Sequence, residues 1–272
     1  MDFLKDYFDS LKIEYFRVLD YRDMHVTGQE IMDRESFTPK SVIIYLLPYY
    51  TGKPHNISRY AASLDYHIAI REINDGLSKV LRERFPSASL CGYGDHSPID
   101  ERYAALVGGL GILGDNGLLI NEKYGSYVFI GDLISDIPPE ELSATSLSEI
   151  LHCESCGKCK AACPTGILTG RGNDCLSAIT QRKGELSESE AALMRRYNTA
   201  WGCDMCQCVC PHNVRPMSTP VEFFYRERID ELTHALLSEM DKKALSCRAF
   251  GWRGRQVLIR NLDIIYGEND EK

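Results

Sequence analysis

The 272-residue sequence has no uninterrupted apolar run long enough to span a bilayer: the longest candidate, Val42 to Leu47, stops at Pro48. The opening Met1-Asp2-Phe3-Leu4-Lys5-Asp6 has no basic stretch ahead of an apolar core, so it does not read as a secretory signal. A cytoplasmic protein with no membrane partner is expected. Positive charge is scarce as well. With 31 basic against 39 acidic residues the net charge is −8, which excludes a nucleic-acid footprint over the whole surface and leaves only local basic contacts. Outside the window Cys153 to Cys210 cysteine is nearly absent, with only Cys91 and Cys247. A disulfide framework would spread its cysteines, and a reducing cytoplasm does not sustain one. Low-complexity tracts and internal repeats are also missing, apart from a pair of cysteine motifs.

What is present is apolar substance. Hydrophobic residues make up 44% of the chain, enough for one large core or two modest ones, and this rules out intrinsic disorder. Residues 1–145 read as an α/β or α+β unit. Ser41 to Leu47 is a short β-branched run ended by a proline and reads as a buried strand. Asn56 to Phe85 has helical spacing, Ala88 to Tyr93 reads as a strand and Ile99 to Leu106 as a helix. Leu118 to Ile120 and Tyr127 to Ile134 add two strands, with mixed sheet pairing expected. Pro138-Pro139 marks a boundary. Residues 146–218 carry the cysteines, and 219–272 form a helical tail with helices at Val221 to Met240 and Lys242 to Asn261.

The first cysteine motif, Cys153-x2-Cys156-x2-Cys159-x3-Cys163-Pro164, has the bacterial ferredoxin spacing. Three thiolates two residues apart wrap one corner of a cubane, and the fourth, beyond a three-residue spacer, serves a neighbouring cluster. Cys203-x2-Cys206-x3-Cys210-Pro211 repeats the ending with three ligands, and Cys175 is the natural fourth. The crossed pattern gives Cys153, Cys156, Cys159 and Cys210 to one 4Fe-4S cluster, and Cys163, Cys175, Cys203 and Cys206 to a second. Paired C-x2-C elements also build zinc sites, but two cysteine-proline endings and eight sulfurs suit two cubanes better. Cys91, Cys208 and Cys247 are left as small hydrophobes without a role.

Gly109-Leu110-Gly111-Ile112-Leu113-Gly114 matches G-x-G-x-x-G literally, but a helix is expected before it and a strand after it, the reverse of a dinucleotide site. It reads as a tight loop, either plain turn geometry or a close approach to a cofactor.

Several segments together resemble the epoxyqueuosine reductase family: Ser58-Arg59-Tyr60 with Asp65-Tyr66-His67, Asp95-His96-Ser97-Pro98 followed by the glycine loop, Gly125 to Gly131, and both cysteine motifs. The resemblance covers nearly the whole chain. It implies a cobalamin-binding domain joined to a ferredoxin-like double-cluster domain, in an oxidoreductase that reduces the epoxide of epoxyqueuosine in the anticodon loop of tRNA. The clusters would reduce the cobalt, fed by a low-potential electron donor protein, in a chain acting as a monomer. Asp95 matches the family's proton donor, a role that requires a carboxyl raised by burial. An aspartate ahead of Ser97-Pro98 could equally cap the helix near Ile99. The resemblance also implies cobalamin contacts at Ser58, Asp95 itself, Leu119, Ile130, Ser177, Cys203 and Asp204, although Leu119 and Ile130 suit an ordinary core. Tyr66 and His67 fall on the substrate side, and each also suits a helix packed on a sheet.

Two departures from the family pattern stand out. Asp115 replaces a common lysine after Gly114, and the chain stops soon after Arg260-Asn261, where many members continue into a helical-repeat domain. A local basic region, Arg248, Phe250, Trp252, Arg253, Arg255 and Arg260, interleaves charge with aromatics as an RNA contact would. Lys183 lies where the family meets tRNA, so Lys183, Arg253 and Arg255 are the candidate RNA residues. A solvated helix face is the alternative. The rival functions are a corrinoid iron-sulfur reductase of small organic molecules and a pure electron-transfer protein.

Overall fold

The computed structural model describes residues 2–267. All eight positions of Ser41–Pro48 (β2) are buried, so this run has both faces covered. It is an interior strand of a four-stranded sheet in the order β1-β2-β6-β3, formed with Phe16–Asp20 (β1), Leu90–Tyr93 (β3) and Val128–Ser135 (β6). A fully apolar strand usually signals a parallel sheet. Here every pairing in the sheet is antiparallel, which corrects the mixed pairing expected from sequence. The continuous apolar run is explained by cover on both sides. Val42, Ile44 and Leu46 pack with Ala104 to Val107 of the helix Glu101–Val107 (α4). On the opposite face the Tyr45 ring lies 5.4 Å from Phe8 of the helix Asp2–Ser10 (α1), and its hydroxyl donates to Asn74 Oδ1 at 3.1 Å. Asn74 belongs to the helix Tyr66–Arg84 (α3), and its amide donates in turn to the Asp132 carbonyl at 3.1 Å. The short helix Gln29–Met32 (α2) adds Met32 to the α4 side.

The chain divides into two compact units: residues up to Tyr49 with His67–Ser155 and Thr219–Val221, and Tyr50–Tyr66 with Cys156–Ser218 and the chain from Glu222 onward. The tail segment therefore packs into the same unit as the cysteine segment. In that second unit Trp201 and Phe250, both fully buried, anchor a core with Leu258 and Leu262 of the helix Arg255–Tyr266 (α11). Helices Leu176–Gln181 (α6) and Glu188–Tyr197 (α7) pack against each other and against α11. A capping box closes the start of α7, with Ser187 and Glu190 each satisfying the other's backbone N–H.

Three helices expected from sequence, Asn56 to Phe85, Val221 to Met240 and Lys242 to Asn261, are shortened or broken. Asn56 to Ser58 is extended, because its backbone pairs with Ala200 and Trp201: Ser58 N–H donates to the Trp201 carbonyl at 2.7 Å, and Ala200 N–H to that of Asn56 at 2.7 Å. Helix begins only at Tyr66. Val221 to Met240 holds a 3-10 turn, Glu222–Tyr225, and then a helix, His234–Glu239 (α9), whose start is fixed by Thr233 accepting from Leu236 N–H. Asp241 caps the next helix, Lys242–Ser246 (α10), in the same way, and Gly254 at φ +88° separates it from α11. Local caps thus override a long amphipathic pattern. Among the described residues no helix is long and apolar enough to cross a membrane.

Candidate active site and cluster motifs

Asp95 sits just beyond β3, in the first unit, at φ +67°, a left-handed conformation uncommon for a residue with a side chain. Its backbone N–H donates to Glu101 Oε1 at 2.9 Å, which ties the turn to the start of α4. Its side chain is 70% exposed, with His67 Nε2 at 3.9 Å from Oδ2. The carboxyl is therefore presented outward rather than buried in protein. The capping role belongs to another residue: Asp100 accepts from Tyr103 N–H at 2.9 Å and caps α4. Beside the loop lies a cavity of about 680 Å³, lined by His67 and His96 and by the cations Arg34, Arg71, Lys79 and Arg82. In a chain of net charge −8 this is a local concentration of positive charge.

The buried acids lie behind that loop, and sequence reading missed them. Asp132 on β6 is fully buried and accepts from Ser97 Oγ at 3.1 Å. The Glu101 carboxyl adjoins it, close enough for each to act on the other. Burial, with the Asp132 charge next, pushes Glu101 up to about 8. Glu101 and Asp132 are 31 positions apart, on a helix and a strand, so no motif could pair them.

The glycine loop is the entry to a small antiparallel hairpin of Ile112–Leu113 (β4) and Leu119–Ile120 (β5). Gly111 is required by a close approach, since a Cβ there would stand 2.5 Å from the Ile120 carbonyl oxygen. Plain turn geometry accounts for it. The hairpin is stitched to the first cysteine: Leu113 N–H donates to the Leu151 carbonyl, Cys153 N–H to the Leu113 carbonyl, and Asp115 N–H to Cys153 Sγ at 3.3 Å. Asp115, the residue that departs from the family pattern, also holds Ser155 Oγ at 3.1 Å and so faces the first cysteine motif.

In the second unit Lys158–Ala162 (α5) packs against Met205–Cys208 (α8), so the two cysteine motifs meet as a pair. Burial first, with the neighbouring charges of Cys175, Asp204 and Cys206 adding to it, raises the Cys203 thiol to about 12. Cys175, at the N-cap of α6, is thus within electrostatic reach of the second motif. Cys163 goes the other way. Burial raises it, but N–H groups of Leu168, Thr165 and Gly166 and the Thr165 hydroxyl outweigh that and lower it, a cradle suited to thiolate sulfur. Cys208 points elsewhere, accepting from Arg59 Nη1 at 3.1 Å. In the first unit Cys91 is pushed up to about 11 by burial, an inert thiol.

Four of the seven residues assigned to cobalamin gather in the second unit. Ser58 donates to Asp204 Oδ1, while Arg59 backbone N–H and Nη1 reach Asp204 Oδ2 at 2.8 and 2.9 Å. Gly202 lets the chain pass Ser58: its φ is +76°, and a Cβ there would lie 2.4 Å from the Ser58 Cβ. Tyr60 bonds both Trp201 Nε1, at 2.8 Å, and Ser177, which adds Ser177 to the group around Cys203 and Asp204. Leu119 and Ile130 lie in the first unit, Leu119 at 5% exposure in the core and Ile130 packed on it.

Lys183, Arg253 and Arg255 line one cavity of about 460 Å³ together with Arg260. Their freedom differs. The Arg255 guanidinium is taken by the carbonyls of Leu237 and Met240, and Arg260 holds those of Arg182 and Gly184. Lys183 is exposed, and Arg253 stacks on Trp252 with its guanidinium carbon 3.7 Å from the ring centroid. Arg248 and Phe250, expected on the same surface, are buried, so the outward basic set is smaller than the sequence suggests.

The pattern of the 4Fe-4S double cluster binding domain family matches residues 152–213. Among curated proteins the chain is 33% identical over 225 residues to an epoxyqueuosine reductase of Listeria monocytogenes, covering 79% of this chain and 58% of that one. It is 34% identical over 222 residues to one of Leadbetterella byssophila, covering 75% and 71%. The chain thus spans about three fifths of the first relative's length and seven tenths of the second's. Among solved structures, an epoxyqueuosine reductase crystallised with an epoxyqueuosine-modified tRNA stem loop superposes with a TM-score of 0.78 at 22% identity, covering 97% of this chain and 80% of that one. That likeness establishes the shared fold, and the sequence identities establish kinship: this chain belongs to the epoxyqueuosine reductase family.

Proposed function

We propose that this chain reduces the epoxide of epoxyqueuosine in the anticodon loop of tRNA to give queuosine, using two 4Fe-4S clusters and cobalamin. The observation that carries the reading is the presence, in one member of this family, of a double-cluster segment at residues 152–213 and an outward-facing carboxyl held on a fixed turn at Asp95. Removing an epoxide oxygen as water consumes two electrons and two protons. Cobalamin, when bound and reduced through the clusters, would supply those electrons. The chain's own residues bind, orient and move the proton.

Asp95 gives its proton to the epoxide oxygen as the ring opens, and His67, 3.9 Å away, is placed to exchange charge with it. Arg34, Arg71, Lys79 and Arg82 beside the loop meet RNA phosphates, as do Lys183 and Arg253 in the second unit. One cluster is held by Cys153, Cys156, Cys159 and Cys210 and the other by Cys163, Cys175, Cys203 and Cys206. The pairing of α5 with α8, the N–H cradle at Cys163 and the nearness of Cys175 to Cys203 suit that set. Ser58, Ser177 and Asp204 offer the polar side chains that the amide-rich rim of a corrinoid requires, with Cys203 beside them and Leu119 and Ile130 as apolar contacts. The protein works in the cytoplasm as a monomer fed by a low-potential donor protein.

Asp95→Ala tests the acid. Iron content and corrinoid absorption are expected to stay at the parent level while turnover of epoxyqueuosine tRNA drops about a hundredfold or more. Unchanged turnover would remove Asp95 from the chemistry.

A further inference from the structure

The carboxyls behind the Asp95 loop pose a problem of partners. Asp132 is fully buried, its Oδ2 takes the Ser97 hydroxyl at 3.1 Å, and its Oδ1 has no donor. Glu101, whose carboxyl adjoins it, uses Oε1 to accept Asp95 N–H at 2.9 Å. Two ionised carboxylates cannot hydrogen-bond each other. A single proton on Glu101 supplies the missing donor and completes the set: Glu101 then donates to Asp132 while still accepting from the backbone of Asp95.

We propose that Glu101 and Asp132 form a proton-sharing latch that holds the Asp95 loop in its left-handed turn, closed while Glu101 carries the proton and open once both carboxyls are ionised. Both ends of the loop are tied to this pair, Asp95 through its N–H and Ser97 through its hydroxyl, so the pair spans the residue proposed as proton donor. Loss of the proton places two negative charges together where water does not reach, and the more exposed partner, Glu101, must move outward with the loop. The surroundings favour the protonated state. The groups acting on Glu101 are the carboxyls of Asp132 and Asp95, and either one, when ionised, disfavours a negative charge on Glu101. Tyr21 and Tyr45 around Asp132 are kept neutral by burial first and by its charge second, Cys91 by burial first with Glu35 and Asp132 adding, and His67 is engaged at Asp95 on the far side of the loop. Burial raises Asp132 to about 7 and Glu101 to about 8, which sets the release near and above neutral pH. Glu101 and Asp132 are positioning residues: they act on the proposed chemistry only through Asp95, and to that extent the latch rests on the functional reading above.

Hydrogen exchange of the segment around Asp95 in the cluster-loaded protein, corrected for the intrinsic pH dependence, reads the latch without substrate or turnover. Protection of the Asp95 amide is expected to fall at least tenfold between about pH 6 and about pH 9, as release of one proton requires. Glu101→Gln, whose amide donates to Asp132 and whose oxygen still accepts from Asp95, is expected to keep protection at the low-pH level throughout. Glu101→Ala is expected to lose it at every pH. An infrared difference between parent and Glu101→Gln at neutral pH is expected to contain the carbonyl absorption of a protonated carboxyl. Parent protection that does not change with pH, a Glu101→Gln variant that tracks the parent's pH dependence, or no protonated-carboxyl band would overturn the latch. Those failures leave the reductase reading standing, whereas normal turnover by Asp95→Ala would sink the reductase reading and leave the latch intact.

Discussion

At the scale of single residues the chemistry depends on how two acids differ. Asp95 is outward-facing on a left-handed turn, and Glu101 behind it is half-buried and raised above the carboxylate range. The first was legible from sequence, because Asp95-His96-Ser97-Pro98 resembles a family motif. The second was not, since its significance depends on Asp132, which reaches it only through the packing of α4 on β6. Asp115 is a further case. Its identity was visible as a departure from the family pattern, but its placement on Cys153 was not, and placement changes the consequence from a phosphate contact to the electrostatics of a proposed cluster ligand. Neutralising it with Asp115→Asn is expected to shift the potential of the cluster bound by Cys153 in the positive direction, because a nearby negative charge disfavours the reduced state. The shift should be tens of millivolts, on the scale of about 59 mV for 1.4 kcal/mol in a one-electron couple. Redox titration followed by electron paramagnetic resonance checks it, and a negative shift would contradict the placement.

Elements show where sequence periodicity is outvoted. The extended Asn56 to Ser58 segment lies inside a helical pattern, yet its backbone groups find better partners in Ala200 and Trp201, and this pairing delivers Ser58 to Asp204. Long-range pairing of that kind leaves no local signal. The cysteine elements were far more legible, because a ligand set must recur at fixed offsets whatever surrounds it. Cys175 was the exception, placed by counting rather than by motif. It starts α6, and Cys203, whose thiol it influences, lies 28 positions away. Cys175→Ala is expected to lower the iron content from about eight to about four atoms per chain, as loss of one of two four-iron clusters requires. Full iron retention would move the ligand role to another residue, with Cys208 the first to examine.

For the whole molecule, the sequence left open one large core or two modest ones, and the chain forms two compact units with separate apolar clusters, while the outward basic set is smaller than the composition suggests. The direction of strand pairing was not readable, since a strand covered on both faces looks the same in parallel and antiparallel sheets. Global stability should carry the mark of the buried acids. Glu101 and Asp132 are both raised by burial in the folded state, so the folded protein holds protons that the unfolded chain releases from its ordinary values of 4.5 and 3.8 upward. Stability from these groups is complete below about pH 4 and declines as pH rises toward about 7 and 8, where the folded state also ionises. Over that window Glu101→Gln is expected to flatten the decline in melting temperature, and a steeper decline would contradict the assignment of the proton to Glu101.

The proposed function joins, in one chain, a double-cluster domain and a proton-donating loop to reduce epoxyqueuosine in tRNA. Its most direct measurement is nucleoside analysis of epoxyqueuosine-containing tRNA after incubation with the cluster- and cobalamin-loaded protein and a low-potential reductant. Conversion of epoxyqueuosine to queuosine at many turnovers per chain is the predicted result, and unconverted epoxyqueuosine with both clusters and cobalamin verified in place would contradict it.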